Sequence, residues 1–120
     1  MSKGDALRLP EYLRHILEAI ERIQRYVEEM SEVAFLNDQK TQDAVIRNLE
    51  IIGEASRNIE RYHKQFADEN DYLPLGNAYE MRNALSHGYF KVDLEIVWKT
   101  IHTALPALHA QIKRLLEEIK

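Results

Sequence analysis

Three long runs in which apolar residues return every three or four positions constrain this chain more than anything else in it. After Pro10, the residues Leu13, Ile16, Leu17, Ile20, Ile23, Val27 and Met30 share one helical face, with Glu and Arg on most other positions. Val45, Leu49, Ile52, Ile59 and Tyr62 repeat the pattern, and Leu94, Val97, Ile101, Leu105, Leu108, Ile112, Leu115 and Ile119 do so again. A 3.6-residue period stacks such positions on one side of a helix, whereas a strand needs alternation by two. The spacing predicts long helices over about 10–31, 38–63 and 94–119. Pro10 suits a first helical turn, where its missing N–H is not needed. Asn37 or Thr41 is placed to cap the second run and Asp93 the third. Pro106 lies inside the third, which is expected to bend there.

Between the second and third runs the pattern stops. The stretch HKQFADENDYLPLGN, with its acidic residues, Asn70, Pro74 and Gly76, reads as a connecting loop. A shorter helix from about Leu75 to Ser86 should follow, ended by Gly88 in the left-handed conformation common after helix C-termini. The expected architecture is all-α, an antiparallel helical bundle of three long helices and one short one, with residues 1–120 as a single domain. A length of 120 residues with 45% hydrophobic side chains is enough for one compact core. Absence of cysteine excludes disulfides and thiolate metal sites. No stretch reaches the roughly 18 apolar residues of a membrane span, and MSKGDALRLPEYLRH has no continuous apolar segment, so the expectation is a soluble cytoplasmic protein with no membrane partner. A formal charge of −4 argues against a broad polyanion-binding surface but leaves room for a small basic cleft.

Several residues stand out from this plan. Gly53, in EIIGEAS, costs on the order of 1 kcal/mol relative to alanine in a helix interior. Either the first two long helices pack closely there or the backbone of a second subunit approaches. Ile46 and Ile51 fall off the main stripe and suggest more apolar surface than a monomer needs. Glu50 and Glu54, with Arg47 and Arg57 nearby, form either a pair of catalytic acids or, more simply, an ion network along one helix face. His102 and His109 lie seven apart on one face; without an acidic partner between them they read as surface histidines, and no metal is expected. Tyr79 and Trp98 have the character of core aromatics, although either is capable of stacking on a base.

The densest chemistry lies in EMRNALSHGYFKVD, residues 80–93. Arg82, Asn83, Ser86, His87 and Tyr89 fit within eight positions. A plain helix end accounts for such a cluster equally well, with His87 in the last turn favoured by the helix dipole. As a site, it suits phosphodiester chemistry: a guanidinium holds two phosphate oxygens and the charge growing on them, and an imidazole moves a proton near neutral pH. Five residues of regular helix rotate by about 140°, so Arg82 and His87 of one chain share a pocket only if the helix relaxes near Ser86 or Arg82 reaches around.

MRNALSHGYFKVDLEIVW, together with AVIRNLEIIGEASRNI and LPALHAQI, resembles the HepT family within the HEPN superfamily of small helical domains, over nearly the whole chain. The family's motif is Arg, four residues, His, any residue, Tyr; it is matched by Arg82, His87 and Tyr89, with Asn83 in the polar position after the arginine. The resemblance implies a toxin of a toxin-antitoxin system, a metal-independent endoribonuclease working without a cofactor as a homodimer or higher homo-oligomer, with the motif at the subunit interface. Arg82 and His87 would be catalytic, with Asn83 and Ser86 supporting. A nucleotidyltransferase antitoxin would modify Tyr89 by AMPylation. The alternative is a non-catalytic HEPN subunit that binds nucleotide or protein in a nucleotidyltransferase complex.

Overall fold

The computed structural model describes residues 7–87 and 92–119. Among them it is all-α, a bundle of seven helices: α1 (Leu9–Tyr26), α2 (Glu32–Leu36), α3 (Gln39–Tyr62), α4 (Lys64–Glu69), α5 (Leu75–His87), α6 (Leu94–His102) and α7 (Ala104–Ile119). Most positions of the predicted stripes become the core, while Leu17, Met30, Tyr62 and Leu94 are only partly buried and Ile119 is exposed. Leu13, Ile16, Ile20 and Ile23 of α1, Val45, Leu49, Ile52 and Ile59 of α3, and Leu105, Leu108, Ile112 and Leu115 of α7 are buried in one cluster.

The long α3 is central, packing along α1 on one side and α5 on the other, while α7 lies against α1. Cross-contacts fix the directions. His63 meets the Leu7 carbonyl while Asn48 meets Arg22, so α3 runs antiparallel to α1. Glu54 and Glu50 meet Arg82 and Ser86 in reverse order, so α5 runs antiparallel to α3. The one buried amide, on Asn48, is satisfied at both ends: its Oδ1 accepts from Arg22 Nε at 2.7 Å and its Nδ2 donates to the Ala44 carbonyl at 2.9 Å. An unsatisfied amide there would cost about 1–3 kcal/mol.

Helix boundaries depart from the sequence reading in four places, each for a local reason. The first helix ends at Tyr26 rather than near residue 31. The chain turns through Glu29 at φ 62°, and Ser31 caps a new short helix by accepting from the Ala34 N–H at 3.1 Å. That turn delivers Phe35 into the core against Trp98, ring centroids 5.3 Å apart. The cap of α3 is Asp38, neither Asn37 nor Thr41; Thr41 donates its N–H (3.0 Å) and its hydroxyl (2.8 Å) to that carboxylate. The expected loop after His63 contains α4, with Lys64 and Asp68 paired across one turn at 3.1 Å. The final run is broken, not bent. α6 ends at His102 and α7 begins at Ala104. A proline ring collides with the carbonyl four residues earlier, which for Pro106 is that of His102, so the break falls one turn before the proline. Asp93 caps α6 as expected, accepting from the N–H groups of Glu95 and Ile96 at 3.0 and 3.2 Å.

Candidate active site

α5 is regular through His87. The helix does not relax at Ser86, so within one chain Arg82 and His87 point about 140° apart. Arg82 faces α3, whereas His87 stands exposed in the final turn. Gly88 and Tyr89 lie outside the described residues, and with them the expected glycine cap and the modification site.

The closeness of α5 to α3 has one cause. A Cβ built on Gly53 would sit 2.3 Å from Arg82 Cβ and 2.7 Å from the Ala78 carbonyl oxygen, distances no real side chain tolerates. Gly53 therefore seats the motif helix. This corrects both sequence readings of the glycine: the element that approaches is α5 of the same chain, not the first long helix and not a second subunit. Ile46 and Ile51 are likewise half-buried against the core rather than forming a free apolar face.

Above that seat two rungs join the helices. Glu54 Oε2 lies 3.2 Å from Arg82 Nε, and Arg82 Nη1 donates to Asn83 Oδ1 at 2.9 Å. One turn on, Ser86 Oγ donates to Glu50 Oε2 at 2.9 Å. The two carboxylates thus do not form the expected network along their own helix. Arg57 instead lies over the Tyr79 ring, 5.3 Å from its centroid, and Arg47 lines a cleft of about 320 Å³ with Ile51, Glu54 and Asn58. Glu50 and Glu54 are the residues whose place in the site the sequence did not reveal. Their signal was the matched spacing: carboxylates four apart on α3 answer Arg82 and Ser86, four apart on α5, with Gly53 between.

The remaining candidates separate. Trp98 is half-buried at the core margin, stacked between Phe35 and His102. Tyr79 is half-buried beneath Arg57 and outside the core cluster, contrary to expectation. His102 is on the surface as expected, with Nδ1 2.9 Å from the Trp98 carbonyl oxygen. His109 is not merely a surface histidine: it is half-buried, with Nε2 3.0 Å from Glu21 Oε2 on α1. No described helix is long and apolar enough to cross a membrane.

The family model described as "Ribonuclease HepT-like" matches residues 16–115. The chain belongs to the HepT-like ribonuclease family. A protein of Thermococcus cleftensis named "Probable ribonuclease HepT" is 44% identical over 105 residues, covering 88% of this chain and 93% of that one. A Caldanaerobacter subterraneus subsp. tengcongensis protein named "Putative RNase" is 37% identical over 91% of this chain and 95% of its own. In Methanocaldococcus jannaschii a protein named "Gamma-glutamylcyclotransferase and putative RNase" is 39% identical over 90% of this chain, a match spanning 47% of its length. No solved structure matches the chain. Within this HepT-like chain, the matched region contains α3, the seat at Gly53 and the motif residues of α5.

Proposed function

We propose that this chain is the toxin of a toxin-antitoxin pair, an endoribonuclease that needs no metal and works as a dimer. The observation that carries the reading is the mounting of Arg82: a guanidinium placed by a glycine contact at its root and by Glu54 and Asn83 at its head, on the same helix as His87 but on a different face of it. In this mechanism an RNA 2′-hydroxyl attacks the adjacent phosphorus, the bond to the 5′-oxygen breaks, and a cyclic phosphate and a free 5′-hydroxyl result. His87 takes the proton from the nucleophile or delivers one to the leaving oxygen, and Arg82 stabilises the charge of the pentavalent phosphorane. Asn83 and Ser86 support the pair.

Because one helix points Arg82 and His87 apart, the reading places two chains about a two-fold axis, with both motifs lining one cleft. A shared cleft also brings two copies of Arg82 together, concentrating positive charge locally although each subunit is acidic overall. Tyr89 is the proposed acceptor of AMP from a nucleotidyltransferase antitoxin. The added phosphodiester brings one negative charge and a bulky nucleoside to the place where an RNA phosphate binds, so steric exclusion and pairing with Arg82 act together.

Incubating the pure protein with RNA in excess chelator tests the chemistry. Cleavage is expected from wild type, and loss from Arg82→Ala and His87→Ala; full cleavage by either folded variant rejects the assigned roles of these residues, and no cleavage by pure wild type favours a non-catalytic binding subunit. Intact mass after incubation with nucleotidyltransferase, ATP and Mg²⁺ tests the switch. The wild-type chain should gain AMP and Tyr89→Phe should not.

A further inference from the structure

Glu54 is more than half exposed, and an ion pair as open as Glu54–Arg82 contributes little to stability. Its geometry is nevertheless specific. Gly53 brings α3 into contact with Arg82 Cβ, fixing where the side chain begins; the next residue, Glu54, meets the guanidinium at Nε, and Asn83 accepts from Nη1. Two successive residues of α3 thus hold both ends of one long side chain. The second rung, Ser86 to Glu50, sets the rotation of α5 about its own axis, since a shift of one residue would break both rungs.

We infer that Glu54 is a positioning residue for Arg82: its carboxylate holds the Nε side of the guanidinium and turns the Nη1/Nη2 end toward the RNA phosphate. The inference rests on the ribonuclease reading for its catalytic consequence but not for its geometry. A free arginine side chain samples many rotamers, and ordering it before the substrate arrives removes that cost from the transition state. A carboxylate beside a phosphate site also repels RNA in the ground state, so Glu54 lowers the barrier while slightly weakening binding.

The loss should therefore fall on kcat and not on KM. Glu54→Ala should lower kcat by about 10- to 100-fold while KM stays level or falls. Glu54→Gln, which keeps an acceptor oxygen without the charge, should recover most of kcat. A role only in folding predicts a lower melting temperature with no such split and no rescue. An Ala variant with kcat within about twofold of wild type overturns the inference, as does a rise in KM that accounts for the whole loss.

A readout independent of cleavage keeps the two readings apart. In ¹⁵N-labelled protein the Arg82 Nε–Hε resonance is assigned by its absence in Arg82→Ala. It should move and exchange faster with solvent in Glu54→Ala, and less so in Glu54→Gln. An unchanged resonance in Glu54→Ala overturns the positioning role whether or not the protein cuts RNA. A shifted resonance in a protein that cuts no RNA upholds the geometry and rejects the ribonuclease reading alone.

Discussion

At the scale of single residues, two positions carry opposite backbone demands. Alanine is intrinsically better than glycine in a helix interior by about 1 kcal/mol, yet the 2.3 Å contact with Arg82 Cβ means that the Cβ of Gly53→Ala must push α5 away. Overpacking of this kind costs about 1–3 kcal/mol. Gly53→Ala is expected to lose about 1 kcal/mol net in urea denaturation and to lose RNA cleavage beyond what the stability change explains. Glu29 is the reverse case, a non-glycine residue at φ 62° on the exposed turn after α1. The left-handed conformation costs a side-chain-bearing residue about 1–2 kcal/mol, against the larger unfolded-state entropy that glycine brings. Glu29→Gly should therefore raise stability by about 0.5 kcal/mol, read as a higher urea midpoint at unchanged slope.

At the scale of helices, caps and breaks set where the chain turns. The Asp38 carboxyl is held below its ordinary value because it accepts first from the Thr41 N–H and then from the Thr41 hydroxyl, with Lys40 adding a smaller attraction. A carboxyl lowered in the folded state contributes stability above its unfolded value and loses it as pH falls through the folded one. Asn caps helices about as well as Asp but does not titrate in this range. The stability difference between wild type and Asp38→Asn should accordingly shrink between about pH 5 and pH 2, traced by urea midpoints at successive pH values. Pro106 acts at the other end of the chain. Because it lies in the first turn of α7, Pro106→Ala restores no lost core contact, and the proline's entropic advantage disappears; a loss of about 0.5–1 kcal/mol is expected from thermal unfolding.

At the scale of the whole molecule, the regular α5 makes the active assembly a geometric question. If Arg82 of one subunit works with His87 of its partner, mixing Arg82→Ala and His87→Ala chains rebuilds one intact pair in each heterodimer. Random pairing makes about half the dimers mixed, each with one of two sites, so activity should return to about a quarter of wild type. No recovery after exchange of subunits, verified by native mass spectrometry, places both residues of a site in one chain. A monomer in light scattering at micromolar concentration that still cleaves RNA would exclude the dimer altogether.

The sequence by itself determined the helical class, the faces that form the core, the cap at Asp93 and the motif cluster, because each follows from contacts within a few residues or from a period that one side of a helix imposes. It did not determine the short helices α2 and α4, whose few turns depend on Ser31, on pairing across one turn and on the docking of Phe35. The break before Pro106 was legible only as a bend, since the clash acts on a carbonyl one turn away and the sequence does not say whether the helix yields or stops. What only the tertiary structure decided is the partner of each polar group. Glu54 sits three residues from Arg57 on its own helix, yet it meets Arg82, 28 positions away, because Gly53 lets α5 come within reach. Local spacing places charges on a face; the register between two helices chooses which of them touch.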